Sequence, residues 1–141
     1  MTQTLTDSYH RTIDYLRISV TDRCNLRCSY CVPPTPYAHM NHTDILCYEE
    51  LIQLERVGIS LGIRKVRLTG GEPFARKGLI GFIRDLAALE GLEDLAVTTN
   101  GTLIADQIQE LKDAGLTRIN ISLDSLKPER FAKITGLDLF D

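Results

Sequence analysis

Three cysteines fall within eight residues of this 141-residue chain, in the run Thr21-Asp22-Arg23-Cys24-Asn25-Leu26-Arg27-Cys28-Ser29-Tyr30-Cys31. Thiolates are soft ligands that suit iron–sulfur clusters and zinc, and C-x3-C-x2-C spacing lets three of them converge on one inorganic centre. A four-iron cluster usually takes a cysteine on each iron. Three cysteines therefore leave one iron open, and an open position is what keeps a metal site catalytic rather than structural. Spacing alone leaves two other readings. One is a Cys3His zinc site completed by His39 or His42; the other is three cysteines that hold no metal. Zinc modules more often use paired Cys-x2-Cys knuckles, and this chain has a single such pair.

Such a centre needs a scaffold, and the chain supplies short β-type runs alternating with helix-type runs. Strands are predicted at 16–21, 64–69, 94–98 and 117–123. Helices are predicted at 48–61, 77–90 and 103–114, with Gly62, Gly91 and Gly115 as stops. A further helix-like stretch runs over 129–134. In the first helix Leu51, Leu54, Val57 and Leu61 form the expected apolar stripe, and Glu49, Glu50 and Glu55 the solvated face. Strand–helix alternation implies an α/β fold of parallel strands joined by right-handed crossovers.

The polarity of the strands narrows that class. Arg17, Ser19 and Thr21 share one face and Ile18 and Val20 the other. Lys65, Arg67 and Thr69 oppose Val66 and Leu68; Arg118, Asn120, Ser122 and Asp124 oppose Ile119, Ile121 and Leu123. Strands buried on both faces read as continuous apolar runs. Alternation instead predicts helices over the apolar face and a wet or ligand-filled space against the polar one. A partial TIM-type β/α barrel meets that description; the bland alternative is a sheet with one solvated face. Every strand ends in small polar residues, and in β/α barrels the carboxyl ends of the strands form the active-site rim.

Several residues on that rim or inner face have a functional and a structural reading. Gly70-Gly71-Glu72-Pro73 is either a strand-to-helix turn or a place where backbone approaches a ligand. Arg17 and Arg67 are guanidinium groups on an inward strand face, which asks for an anion: a bound ligand, or Glu72 or Asp124 in a salt bridge. Asn100-Gly101 reads as turn scaffold. His39 and His42 read as exposed loop residues, and Cys47 as a small buried side chain. The loop from Val32 to Cys47 reads as a mobile flap.

Cys24 to Cys31, with Tyr30 as the aromatic residue before the last cysteine, resembles the C-x3-C-x-aromatic-C signature of radical S-adenosylmethionine (SAM) enzymes. Four ordered stretches extend the resemblance to the N-terminal part of the GTP cyclases of molybdenum-cofactor biosynthesis. They are Tyr15 to Cys24, Val66 to Pro73, Thr98 to Gly101 and Ile119 to Leu126. The resemblance implies a [4Fe–4S] cluster on Cys24, Cys28 and Cys31, with the open iron chelated by SAM. It implies SAM contacts at Tyr30, Gly71 and Ser122, and GTP contacts at Arg17, Arg67 and Thr98. It further implies an external electron donor, and radical chemistry in which a hydrogen leaves the ribose of GTP before a carbon–carbon bond closes onto the guanine. Departures are mild in the motifs: His10-Arg11 stands where the family has Gly-Arg, and Val32-Pro33 where it has Met-Pro.

The remaining expectations concern the molecule as a whole. A net charge of −3 gives no global basic field for nucleic acid. No apolar run approaches the roughly 20 residues of a membrane span, and the polar start lacks the apolar core of a signal peptide. With three clustered cysteines and one alone, a reducing cytoplasm fits better than a disulfide framework. The expected organisation is a single truncated core domain, 1–141, with a flexible lead at 1–14 and a cluster-binding loop at 22–47. The chain stops right after a helix-like stretch, as a cut through a longer protein would. A second cluster is expected only in the missing C-terminal part. An open barrel edge would invite pairing with another copy, so a homodimer is possible.

Overall fold

The computed structural model describes residues 4–32 and 38–140. Four strands, β1 (Tyr15–Ser19), β2 (Lys65–Thr69), β3 (Asp94–Thr99) and β4 (Arg118–Ile121), form one sheet. Their order is β1-β2-β3-β4 and every pairing is parallel. Helices α1 (Tyr48–Ser60), α2 (Leu79–Ala87) and α3 (Ile108–Asp113) supply the crossovers, and α4 (Pro128–Thr135) follows β4. This is the expected open run of βα units, with element ends within three residues of those predicted except at α3, which starts at Ile108 rather than 103 because Ala105–Gln107 form a separate 3-10 turn. The last strand is shorter than expected, because the chain beyond Ile121 leaves the ladder after one further bond, Ser122 N to Thr99 O at 2.9 Å.

One layer of helices covers one face of the sheet. Ile18 and Val20, Val66 and Leu68, and Leu95 and Val97 point into a core completed by Leu51, Phe82, Ile83, Leu86 and Leu111. The opposite face carries Arg17, Ser19, Arg67, Thr69, Thr98 and Asn120, as the alternation requires. Register aligns them in rungs: Arg17 pairs with Arg67, Ser19 with Thr69, and Thr98 with Asn120.

Three expectations about burial are corrected. In α1 the buried face runs through Leu51 and Glu55, while Leu54 and Val57 are half exposed. The helix is rotated from the predicted stripe because Tyr48 stacks on Phe82 at 4.5 Å, which turns positions 48, 51, 52 and 55 toward the sheet. Glu55, expected on the solvated face, is therefore fully buried. Cys47 is exposed rather than buried: it is the N-cap of α1, its backbone N–H donating to Glu50 Oε2 at 2.7 Å. At β4 the apolar face is only partly covered: Ile119 packs against the core, but Ile121 is 60% and, just past the strand, Leu123 49% exposed. The helix after β4 does not fold back over the sheet but runs to the cysteine loop.

Residues 4–14 form a tight turn held by an Asp7–Arg11 ion pair and by Leu5 N to Leu61 O at 3.1 Å. Part of the predicted flap, residues 33–37, lies outside the described residues, as does the side chain of His42.

Candidate functional site

The cysteine loop leaves the carboxyl end of β1 and is held from three directions. From below, Gly70 and Gly71 at the end of β2 lie against it. Gly71 N donates to Thr21 O at 2.7 Å and Glu72 N to Arg23 O at 2.8 Å. A Cβ on Gly71 would lie 2.3 Å from Arg23 O, and one on Gly70, where φ is +156°, 2.5 Å from Thr21 O. Both glycines are thus required by packing of the turn on the loop, whatever they do for a ligand. From above, the last turn of α4 offers its free carbonyls: Arg27 N donates to Thr135 O at 2.8 Å and Ser29 N to Ile134 O at 2.9 Å. Helix ends leave such carbonyls without intrahelical partners, and here the loop satisfies two of them.

The third brace is the end of β3. Glu72 is 1% exposed and its carboxylate accepts Thr99 Oγ1–H at 2.8 Å, Phe74 N–H at 3.1 Å and Asn100 N–H at 2.7 Å. Asn100 in turn reaches Asn25, inside the cysteine loop, at 2.8 Å. Sequence reasoning reads Asn100 as turn scaffold and Glu72 as a candidate partner for an arginine. Their roles depend on contacts 27 and 28 residues apart for Glu72 and 75 apart for Asn100, which no local signal carries.

Cys24, Cys28 and Cys31 border one cavity of about 510 Å³ together with Ser19, Thr21, Gly70 and Gly71. All three thiols are free, Cys24 and Cys31 exposed and Cys28 half-buried, and burial pushes the Cys28 thiol up. His39 borders the same cavity, its Nδ1 3.2 Å from Asp22 Oδ2, which also accepts Met40 N–H at 2.7 Å. The Met40 N–H, then the His39 ring, hold the Asp22 carboxyl below its usual range. Among the described residues no three His, Cys, Asp or Glu side chains converge as for a single ion.

Tyr30 and Ser122 stand outside that cavity lining. The Tyr30 hydroxyl donates to Asp124 at 2.9 Å, tying the loop to the segment just past β4 that carries Ser122. Burial and the Asp124 carboxylate push the Tyr30 hydroxyl well above its ordinary value.

The inner face behind the cavity carries uncompensated positive charge. Arg17 and Arg67 are direct cross-strand neighbours, and like charges set opposite one another destabilise a sheet. Neither has an ion pair among the described residues, because Glu72 is spent on Thr99, Asn100 and Phe74, and Asp124 on Tyr30. The structural alternative of a salt bridge to Glu72 or Asp124 is therefore not formed. Arg67 Nε is buried with no hydrogen-bond partner among the described residues, and its guanidinium lies 5.7 Å over the Tyr15 ring. Arg118, further along the same rung, is matched by Asp94.

A parallel half-barrel with clustered thiols on its carboxyl-end rim and an open cationic face behind them has the layout of a cluster-dependent α/β enzyme. The chain matches the Radical SAM superfamily over residues 18–139 and belongs to it. That family carries a 4Fe–4S cluster and SAM. The chain is 54% identical over 134 residues to a protein of Alkaliphilus metalliredigens named GTP 3',8-cyclase, and 52% identical over 133 residues to one of Geobacter sulfurreducens with the same name. Each match covers 94% of this chain but only 42% and 41% of those proteins. The chain therefore spans about two fifths of the length of these relatives. Among solved structures, Streptococcus suis SuiB bound to the precursor peptide SuiA superimposes with a TM-score of 0.72 at 20% identity. The superposition covers 89% of this chain and 27% of that one. BtrN in complex with AdoMet and 2-DOIA gives 0.62 at 18%, covering 88% and 51%. These likenesses show the shared fold.

The residues present fit the family's cofactors. Free thiols face a cavity large enough for a cluster and part of a second ligand, the loop bearing them is braced on three sides, and an orphaned Arg67 Nε waits on the adjoining face.

Proposed function

We propose that this chain is the N-terminal part of a radical SAM GTP 3',8-cyclase, which forms (8S)-3',8-cyclo-7,8-dihydroguanosine 5'-triphosphate. The relatives' name supports the substrate. The observation that carries it in this chain is the Arg17–Arg67 pair, cross-strand neighbours with no carboxylate partner among the described residues, on the sheet face whose Ser19 lines the thiol-bordered cavity. An anion satisfies both, and Arg suits phosphate and planar purine edges. Thr98, two rungs nearer the rim than the arginines' strand neighbour Ala96, adds a hydroxyl on the same face.

Cys24, Cys28 and Cys31 hold the cluster in this reading. Gly71 brings backbone to the methionyl part of SAM, Ser122 offers a hydroxyl that can donate and accept, and Tyr30 lies against SAM with its ring oriented by Asp124. When bound, the cluster and SAM supply one-electron cleavage of a carbon–sulfur bond and a carbon radical that takes hydrogen from the ribose. The chain's own residues bind, orient and shield the reactants. An external donor supplies the electron. A second cluster, and the rest of the nucleotide site, belong to the longer protein, so the 141 residues alone do not turn over GTP.

Anaerobic reconstitution with iron and sulfide tests the site: a visible cluster absorbance is expected, with a spin spectrum that changes when SAM is added. Loss of either response in the intact chain rejects the cofactor assignment. Mass analysis of the longer protein incubated with GTP, SAM and reductant tests the substrate, and absence of a cyclised nucleotide removes it.

A further inference from the structure

We infer that Asn100 is a positioning residue for the cysteine loop and raises the reduction potential of the cluster held there, by donating an amide N–H to Cys24 Sγ. This rests on the cluster reading above.

The orientation of the Asn100 amide is fixed by its neighbours. The backbone N–H of Thr102 can only donate, so the Asn100 atom 3.0 Å from it is the oxygen, and the amide nitrogen faces the cysteine loop. One N–H goes to Asn25 Oδ1 at 2.8 Å. Asn25 Nδ2 donates to Thr102 Oγ1 at 2.8 Å, and that hydroxyl donates to Asn100 Oδ1 at 2.7 Å. The three side chains thus close a ring. The second amide hydrogen of Asn100 is left for Cys24 Sγ, 3.9 Å away, a long contact of the kind sulfur accepts. Leu26 N–H approaches the same sulfur at 3.4 Å. The Asn100 backbone cannot drift from this place, because its own N–H is bound to buried Glu72 at 2.7 Å.

Hydrogen bonds to cysteine sulfur are among the terms that set the potential of an iron–sulfur cluster. An N–H draws charge off the thiolate and favours the reduced state, which carries one more electron. Asn25 acts differently: it sits between Cys24 and Cys28, holds the amide of Asn100 in line, and gives nothing to the sulfur itself.

The test is a redox titration of the cluster-loaded chain followed by electron spin resonance. Asn100→Ala is expected to move the midpoint to more negative potential, and Asn25→Ala to move it less, since Asn100 keeps its amide there. Asn100→Leu keeps nearly the size, loses the donor and adds no charge of its own, and moves the midpoint in the same direction. It carries the test if the alanine variant loads no cluster. Midpoints for the Asn100 variants equal to wild type overturn the inference, as does a shift in Asn25→Ala as large as in Asn100→Ala, which would reduce the ring to a brace. A wild-type chain that takes up no cluster refutes the cluster reading as well; a cluster that forms with unmoved potentials refutes this inference alone.

Discussion

Glu55 is fully buried, and neither of its carboxylate oxygens has a hydrogen-bond partner among the described residues. Burial pushes its carboxyl from an ordinary 4.5 up to about 7. Below 4.5 the group is protonated both folded and unfolded, so it adds no pH-dependent cost. As pH rises toward 7 the unfolded chain releases the proton and the folded chain keeps it, so stability falls and the full cost is reached above 7. Each tenfold change in proton affinity is worth about 1.4 kcal/mol, which makes that cost on the order of 3 kcal/mol. Glu55→Met fills the same space without charge and is expected to raise the urea midpoint more at pH 8 than at pH 4. Equal gains at both pH values would show that the carboxylate is not the cause. Glu72 is the opposite case: buried, but with three donors on its two oxygens. Glu72→Gln turns an N–H toward either Asn100 N–H or Phe74 N–H, leaving a buried donor unmatched. The expected loss is on the order of 1–3 kcal/mol in denaturant unfolding, and a variant as stable as the parent would refute the brace.

Helix α4 shows what an element can do that its sequence does not announce. Its pattern reads only as a helix-like stretch, yet its terminal carbonyls hold Arg27 and Ser29 of the cysteine loop, and it is seated by buried Phe131 against Phe140. Phe131→Ala is expected to free that turn and lower the iron retained per chain after reconstitution and gel filtration, with the sheet's circular dichroism unchanged; undiminished iron would refute the coupling. Strands are the most legible elements, because a period of two fixes which side chains share a face: Arg17 with Ser19, and Arg67 with Thr69, stand where the alternation puts them. Helix α1 is less so. Its apolar residues allow two stripes, and stacking of Tyr48 on Phe82 selects the one that buries Glu55 and leaves Leu54 and Val57 half exposed. The cysteines declare themselves by spacing, whereas the Asn25–Thr102–Asn100 ring joins residues 75 and 77 apart and exists only once β1 and β3 are in place.

At the scale of the whole molecule, the sheet has two edges, β1 and β4, where a closed barrel has none. The edge at β4 is also apolar: Ile121 and Leu123 are exposed beside it, and Leu126 is 81% exposed. Unpaired backbone groups next to bare aliphatic side chains make a template for another strand, and relatives more than twice as long have chain enough to cover it. The same openness leaves the cationic inner face of Arg17 and Arg67 without a far wall among the described residues. The isolated 141 residues are therefore expected to self-associate, with a sedimentation coefficient that rises with concentration. Ile121→Lys and Leu123→Glu place charge on the template without touching the core, and each is expected to restore a single monomeric boundary. If both variants associate as strongly as the parent, the contact lies elsewhere, and the β1 edge becomes the surface to charge next.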